Sequence, residues 1–363
     1  MLGKLKACSV LYSPNDEKYA EEIRLFQGCP TIAITQKGRI FAGWYAGGLR
    51  EPSLDNYNTL CFSDDGGKSF RKNYVIIPSD KDRKVQALDI QLFVSPENKL
   101  YVFWVQNDVK HFTEVEGATE GMFGEDYIFN DGTHAQFYMV CDNPDAPEPE
   151  FSKPVYYDKG FLRCRPTVLK SGRWLLFNYD QTTDRYGYSI TDDKLKTHRQ
   201  LYGGKKVATP FDESMAYQKA DGSIRMLART STGKTAESLS FDEGETWSDG
   251  KEIDIFNSNT RLYVNKMKSG NVLLINNEGA GRSDMTILLS DDDGESFKYQ
   301  KLIDARRGLS YPDVDEFNGK YYLVYDFERQ GASEIIMCSF TEEDIIKGND
   351  IPLQTISKPK KET

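Results

Sequence analysis

The sequence predicts an all-β chain that folds as a six-bladed β-propeller of four-stranded antiparallel blades. Three observations lead to this fold class. A turn motif with five fixed positions occurs three times, its copies recur at a spacing near fifty residues, and six short apolar runs accompany them. No linker divides the chain, so residues 1–363 are predicted to form a single domain.

The turn motif reads S-x-D-x-G-x-[ST]-[FW] in three segments, SDDGGKSF (63–70), SFDEGETW (240–247) and SDDDGESF (290–297). Serine and aspartate oxygens accept hydrogen bonds from turn N–H groups, glycine supplies a positive φ, and the closing aromatic ring packs between strands. These segments resemble the Asp-boxes, or BNR repeats, of sialidase-type propellers. We therefore expect the motif residues to hold hairpins on the outer rim and not to bind substrate.

The spacing of the motif predicts the number of blades. A step of 50 residues separates Ser240 from Ser290, and similar steps lead back to Ser189 and forward to Ser339, where degenerate copies are predicted. The polar stretch 111–136 is interpreted as an insertion that lengthens one early unit. Six units follow, each about as long as a four-stranded blade.

Six short runs predict one strand in each blade. They are apolar or alternating, and each follows a turn residue. The runs are RIFAGWYAG (39–47), KLYVFWVQ (99–106), RWLLFNYD (173–180), SIRMLART (223–230), NVLLINN (271–277) and KYYLVYDF (320–327).

Composition restricts the classes of function. The formal net charge of -10 argues against a nucleic-acid partner, because binding there depends on phosphate neutralisation. No apolar run approaches the length of a membrane span, and the charged N-terminal region predicts a cytoplasmic chain. The six cysteines show no C-x-x-C spacing, so neither a disulfide framework nor a zinc site is expected. No other metal and no organic cofactor is predicted. A monomer suffices for a closed propeller, with a weak homodimer as the alternative.

Four polar residues beside the strand runs resemble the catalytic set of the sialidase (neuraminidase) superfamily. Glu213, Arg229, Arg282 and Tyr311 follow one another at steps of 16, 53 and 29 residues. The resemblance implies that Tyr311 is the nucleophile, Glu213 its base partner, and Arg229 and Arg282 two members of an arginine triad that binds the substrate carboxylate.

The residue types suit that chemistry. A sialic acid carries a carboxylate on its anomeric carbon, so an anionic nucleophile would be repelled there. A phenol is neutral until it is deprotonated, and its ordinary pKa near 10 requires an adjacent base. Arginine forks bind a carboxylate through two parallel hydrogen bonds, which suits Arg229 and Arg282.

The chain also departs from the family pattern. Cys29 in FQGCPTIA stands where the resemblance places the first arginine of the triad. The loop that should carry the general acid, AGGLREPSLDNYN (46–58), offers Glu51 and Asp55, of which the spacing slightly favours Asp55. Asp89 and Arg165 stand at comparable strand-entry positions and are expected to contact sugar hydroxyls.

Further phrases place the chain closer to one carbohydrate-related subgroup of sialidase-like propellers, and that subgroup does not fix the sugar. The phrases are FQGCPTIA, GWYAGG with REP, SYPDV, YDFER and FTEEDI. Within them, Asp313, Asp326 and Arg329 are interpreted as a structural network that supports the sixth blade.

Three functions therefore remain open. The first is a retaining exo-glycosidase that removes a terminal anionic sugar, sialic acid or a uronic-acid-like residue, from an oligosaccharide or glycan. The second is a polysaccharide lyase, or a glycosidase for another sugar, on the same fold. The third is a non-catalytic glycan-binding propeller. The fold alone does not decide among them.

Overall fold

The computed structural model describes residues 3–117, the backbone of Tyr127–Phe129, and residues 134–209 and 211–360. Most of the predicted insertion, residues 118–126 and 130–133, lies outside the described residues. Within the described ranges the helices are four 3₁₀ turns and one α-helix, Glu342–Lys347 (α1). None of the helices in these ranges is long and apolar enough to cross a membrane. The 3₁₀ turns are Gly3–Leu5, Glu17–Tyr19, Glu21–Ile23 and Phe112–Glu114.

The first two sheets contain ten strands. They are Leu11–Tyr12 (β1), Phe26–Ile34 (β2), Ile40–Gly47 (β3), Tyr57–Ser63 (β4), Arg71–Pro78 (β5), Val85–Val94 (β6), Leu100–His111 (β7), Tyr127–Phe129 (β8), Ala135–Cys141 (β9) and Val155–Lys159 (β10). In the described residues the first sheet has the order β1-β5-β4-β3-β2. The second has the order β10-β9-β7-β6, with β8 paired to β7.

The third and fourth sheets come next along the chain. Their strands are Phe161–Leu162 (β11), Thr167–Val168 (β12), Trp174–Leu176 (β13), Asn178–Tyr179 (β14), Arg185–Thr191 (β15), Arg199–Lys205 (β16), Met215–Gln218 (β17), Ile224–Ala228 (β18), Lys234–Ser240 (β19) and Lys251–Phe256 (β20). The third sheet has the order β12-β13-β15-β16, beside the short pair β11-β14, and the fourth has the order β17-β18-β19-β20.

The last two sheets each take four consecutive strands. These are Tyr263–Lys266 (β21), Val272–Gly279 (β22), Ser283–Ser290 (β23), Tyr299–Asp304 (β24), Leu309–Phe317 (β25), Lys320–Phe327 (β26), Glu334–Phe340 (β27) and Leu353–Ser357 (β28). Each of the six sheets contains four antiparallel strands in meander order, and the predicted apolar run falls on the second of them. The short strands β1 and β8 add a fifth strand to the first and second sheets, so the prediction of six four-stranded blades is confirmed.

The chain packs as two compact units. Unit 1 comprises Met1–Lys159, Asp313–Met337 and Leu353–Thr363, and unit 2 comprises Gly160–Pro312 and Cys338–Pro352. Unit 1 has one apolar core around Trp104 and another around Trp44. In unit 2, Trp247 lies edge-on to the rings of Phe177 and Tyr188 within a third core. The single-domain assignment stays a prediction.

The three Asp-boxes form the predicted turns. In the last one, Ser290 Oγ donates to Asp292 Oδ1 at 2.7 Å and accepts from the amide of Gly294 at 2.8 Å. The amide and hydroxyl of Ser296 donate to the same aspartate, and these bonds lower the pKa of Asp292 to about 2. The boxes at Ser63 and Ser240 repeat the pattern, so these residues hold hairpins.

The two degenerate copies differ from the prediction. The fourth box begins at Thr191 and not at Ser189, because Thr191 Oγ1 donates to Asp193 Oδ1 at 3.0 Å and accepts from the amide of Leu195 at 2.9 Å. Leu195 adopts a φ of 67° where the intact boxes have glycine. After Ser339 the chain forms α1, because the Thr341 side chain caps that helix and no box turn is made.

Carboxylates from β25 and β26 support the bulged strand β2 within unit 1. The register of β2 shifts between Gly28 and Thr31, which removes backbone partners there. Asp326 accepts from the amide of Cys29 at 2.7 Å, and Asp313 accepts from the amide of Ile32 at 3.0 Å. We infer a structural role for both aspartates, as the sequence predicts.

Gly204, in β16 of the third sheet, packs closely against the backbone of Ser248. A Cβ on Gly204 would lie 2.0 Å from the carbonyl oxygen of Ser248, a backbone atom that cannot turn aside. We expect Gly204→Ala to destabilise the protein by about 2 kcal/mol or more, measured by urea denaturation. Gly222→Ala is the control, since its Cβ meets open space and the positive φ costs only about 1 kcal/mol. Equal losses in the two variants would contradict the close approach.

Candidate active site

The predicted nucleophile and its base partner meet in unit 2. Glu213 lies two residues before β17, the first strand of the fourth sheet, and Tyr311 lies within β25. The Tyr311 hydroxyl donates to Glu213 Oε1 at 3.0 Å. The two residues are 98 positions apart in the chain, so this contact depends on the tertiary fold and not on local geometry.

Arg229 holds the other oxygen of the Glu213 carboxylate. It follows β18, and its Nη1 donates to Glu213 Oε2 at 2.8 Å. Glu213 and Arg229 are 3% and 7% exposed, so this is a buried ion pair. A carboxylate with a guanidinium on one oxygen and a phenol on the other is oriented from both sides, which is the arrangement that the nucleophile and base prediction requires.

The neighbouring cations decide the ionisation of Glu213. Burial alone would raise the pKa of Glu213, but the guanidinium groups of Arg229, Arg163 and Arg261 outweigh burial and hold the pKa below its ordinary value. Burial alone would also lower the pKa of Arg229, and the Glu213 carboxylate raises it instead. Both groups are therefore charged near neutral pH.

Asn259 links the two predicted clamp arginines. Its side-chain oxygen accepts from Arg229 Nε at 2.9 Å, and its backbone carbonyl accepts from Arg282 Nη2 at 3.2 Å. Arg282 lies between β22 and β23, and its guanidinium carbon is 6.0 Å from the centre of the Tyr311 ring. Among the described residues, Arg229 Nη2 and Arg282 Nη1 donate to no protein atom, so both can reach a ligand.

The sequence prediction missed two arginines beside Tyr311. Arg163 and Arg261 are each 2% exposed, and their guanidinium carbons lie 4.9 Å and 5.4 Å from the centre of the Tyr311 ring. Arg261 lies two residues before β21, the same offset that Glu213 has from β17, and this offset was the available signal. Arg165, the predicted contact, is also buried before β12, but the ring contact found belongs to Arg163.

The backbone at the site adopts an uncommon conformation. Glu213, Asn259, Arg282 and Tyr311 have φ values of 37°, 56°, 56° and 55°, in the left-handed region that favours glycine. Such residues cost about 1–2 kcal/mol each and persist where the surrounding structure determines them. Their concentration around one phenol and one carboxylate supports a functional role for this cluster.

The other predicted site residues lie in unit 1. Asp55 is exposed and forms an ion pair with Lys81. Burial raises the pKa of the Tyr45 phenol, and the charges of Glu51 and Asp89 raise it further, so these two carboxylates lie near Tyr45. Asp89 is buried and has a φ of 59°. The acid role of Glu51 or Asp55, and the sugar contact of Asp89, stay predictions.

Cys29 has an arginine beside it within unit 1. Arg329 Nη1 lies 3.4 Å from Cys29 Sγ, and the side chain of Arg329 crosses Gly28. A Cβ on Gly28 would lie 2.2 Å from Arg329 Cδ, so this crossing requires glycine. The position that lacks an arginine in the sequence is therefore next to a guanidinium in the structure.

The described part of the chain contains no group of three or more histidine, cysteine, aspartate or glutamate side chains placed to hold a metal ion.

Comparisons with known proteins identify the family and the fold of this chain. Residues 38–323 match the model of a family described as a BNR repeat-like domain. Anhydrosialidase from Macrobdella decora is 24% identical over 205 residues, which cover 49% of this chain and 26% of that protein. The match thus spans well under half the length of that relative.

Solved structures show the same fold. The intramolecular trans-sialidase from Ruminococcus gnavus, in complex with oseltamivir carboxylate, aligns with a TM-score of 0.67 at 14% identity and covers 93% of this chain and 98% of that chain. A leech intramolecular trans-sialidase complexed with 2,7-anhydro-Neu5Ac aligns with a TM-score of 0.70 at 14% identity, covering 94% and 71%. With the six four-stranded sheets, these likenesses confirm the predicted six-bladed β-propeller.

Proposed function

The chain belongs to the family of BNR repeat-like domain proteins, and on this premise we propose that it is an exo-glycosidase of sialidase type that releases a terminal anionic sugar from a glycan. The relatives are named as an anhydrosialidase and as trans-sialidases, which supports a glycan substrate with a carboxylate-bearing sugar. Sialic acid and a uronic-acid-like residue are the two sugar classes that the proposal covers.

The hydrogen bond from Tyr311 to Glu213 carries the proposal. Tyr311 Oη attacks the anomeric carbon as its proton passes to Glu213 Oε1, and the glycosidic C–O bond breaks. The leaving oxygen takes a proton from an acid, for which Glu51 and Asp55 are the candidates. Water then attacks the tyrosyl-linked sugar and gives a proton to the conjugate base of that acid, while Glu213 returns its proton to the phenol oxygen as the bond to the sugar breaks.

The arginines bind the sugar carboxylate in this proposal. Arg229 Nη2 and Arg282 Nη1 supply donors that no protein atom in the described chain uses. Asn259 holds both guanidinium groups in place before a ligand arrives. Such preorganised donors bind a planar carboxylate with little loss of side-chain entropy.

A turnover screen tests the function. Aryl glycosides of sialic acid, its deaminated analogue and several uronic acids are incubated with the wild-type protein, and the first-formed product is identified by proton NMR. We expect release of one anionic sugar, and labelling of the Tyr311 peptide by the matching sugar that carries fluorine on its anomeric carbon and on the adjacent carbon. Conjugated, ultraviolet-absorbing uronate products would favour a lyase. Binding on a glycan array without any turnover would favour a binding propeller.

A further inference from the structure

Transfer of the Tyr311 proton to Glu213 is unfavourable unless further groups stabilise the phenolate. An ordinary phenol has a pKa near 10, whereas the pKa of Glu213 lies below its ordinary 4.5. Transfer of the proton from Tyr311 to Glu213 would therefore be unfavourable by a factor of about 10⁵ or more in the equilibrium constant if the phenol were unperturbed. The phenolate needs its own stabilisation, so the groups that face the ring decide whether it forms.

In the part of the chain that the structure describes, the charged groups found in contact with Tyr311 are the Glu213 carboxylate and several guanidinium groups. Arg163, Arg261 and Arg282 lie within 6.0 Å of the ring centre, and Arg229 interacts with Tyr311 from the far side of Glu213. Glu213 is the carboxylate that contacts the phenol. This excess of positive charge favours any negative charge that develops on the ring.

Arg163 is the arginine that contacts both partners of the proton transfer. Its Nε lies 3.7 Å from Glu213 Oε1, the same oxygen that accepts the Tyr311 hydrogen bond. Its guanidinium carbon lies 4.9 Å from the Tyr311 ring centre, nearer than the other two. Arg229, in contrast, binds the opposite oxygen, Oε2.

Arg261 has a different task. Its Nη2 donates to the carbonyl oxygens of Tyr311 and Pro312 at 3.1 Å and 2.8 Å, and its Nη1 donates to the carbonyl oxygen of Arg163. Arg261 therefore fixes the backbone of both Tyr311 and Arg163.

We propose that Arg163 is the residue that activates Tyr311 by exchanging counter-ions during proton transfer. When the proton lies on Tyr311, Arg163 neutralises the Glu213 carboxylate. When the O–H bond of Tyr311 breaks and an O–H bond forms on Glu213 Oε1, the negative charge moves to the phenolate, and Arg163 already faces it. One proton moves and no charge enters or leaves the cluster, so the number of ion pairs is conserved.

The inference deepens the proposed function, which uses the phenolate as a nucleophile, but the ionisation is measurable without any substrate. Tyrosine labelled with carbon-13 at Cζ is incorporated, and the Tyr311 resonance is assigned by its loss in Tyr311→Phe. The protein is titrated between about pH 7 and pH 12. We expect Arg163→Gln to raise the midpoint of the Tyr311 titration by about one to two pH units. Arg163→Lys, which keeps the positive charge, should raise it less.

Arg225→Gln is the matched control. Arg225 is another buried arginine of unit 2. Its Nε lies 2.5 Å from Glu237 Oε2, and this ion pair is separate from the cluster around Glu213. Its loss should leave the Tyr311 midpoint unchanged. An unchanged midpoint in Arg163→Gln would overturn the proposal. If Arg163→Gln does not fold, Arg163→Met decides, because it also removes the positive charge and fills the buried space with an apolar side chain; a Tyr311 midpoint equal to that of the wild type would then overturn the proposal.

The titration also separates this inference from the proposed function. A raised midpoint without turnover of any glycoside would support Arg163 as the activating residue and contradict the glycosidase. Turnover with an unmoved midpoint would support the glycosidase and contradict the role of Arg163. Where turnover is found, Arg163→Gln should lower kcat near neutral pH and Arg225→Gln should not, because Arg163 stabilises the negative charge that develops on the Tyr311 oxygen during attack.

Discussion

Tyr311→Phe lowers kcat of the proposed glycosidase by about 10³-fold or more, because the substitution removes the nucleophilic oxygen and leaves the rest of the cluster in place. Phenylalanine keeps the ring between the guanidinium groups of Arg163, Arg261 and Arg282. The Glu213 carboxylate keeps its ion pair with Arg229. Affinity for a carboxylate-bearing substrate analogue should therefore change by less than about tenfold, and stability by about 1 kcal/mol or less.

The measurement is a steady-state comparison on whichever aryl glycoside the wild type cleaves, with inhibitor binding followed by calorimetry. Tyr188→Phe is the control, because Tyr188 belongs to the apolar core of unit 2 and its hydroxyl donates to the carbonyl oxygen of Glu245. Activity of Tyr311→Phe within tenfold of the wild type would show that the phenol is not the nucleophile. A lost affinity with retained kcat would assign Tyr311 to substrate binding instead.

Repetition explains why the fold was predictable from the sequence. The Asp-box is held by hydrogen bonds within eight residues. Its pattern of Ser, Asp and Gly can therefore be recognised in the sequence without knowledge of the tertiary structure. The box at Thr191 shows the limit of that recognition. There threonine replaces serine, and Leu195 occupies the glycine position at a φ of 67°. The hydrogen-bonded turn therefore persists although its sequence no longer matches the motif.

The site residues that could be predicted are those whose order along the chain matches the family pattern. Glu213 and Tyr311 stand at strand entries in the expected order, and the fold brings them to 3.0 Å. Arg163 and Asn259 were not found, because their roles depend on which neighbours the tertiary fold supplies. Arg163 and Arg165 differ by two residues, and only the packing of the Tyr311 ring distinguishes them.

The buried charges of the site make Glu213 a determinant of stability as well as of activity. Glu213→Gln keeps the shape of the side chain but leaves Arg229, Arg163 and Arg261 buried around a neutral amide. Removing one partner of a buried ion pair typically costs about 3–5 kcal/mol. We expect a loss of that size near neutral pH, together with a fall in kcat of about 10²-fold or more, since an amide does not accept the phenol proton.

The pH dependence of this loss follows from the sign of the pKa shift. Because the pKa of Glu213 is lower in the folded chain than its ordinary 4.5, its stabilising contribution is fully present above that value. The contribution is lost as the pH falls through the folded-state pKa. The difference in stability between wild type and Glu213→Gln, measured by urea denaturation from neutral pH down to about pH 3, should therefore narrow in acid. A difference that stays constant over this range would contradict a lowered pKa.

Glu237→Gln provides the matched control for the buried charge. Glu237 pairs with Arg225 and Lys251 in the same unit, so its loss should lower stability without changing turnover. A double variant then tests whether an unpaired buried charge causes the loss of stability in Glu213→Gln. Glu213→Gln combined with Arg229→Met removes both partners of the ion pair, and replacement of a whole buried pair is often close to neutral in stability. Stability recovered in the double variant would show that the loss in Glu213→Gln comes from the unpaired charge of Arg229, whereas a loss that persists would assign it to Arg163 and Arg261.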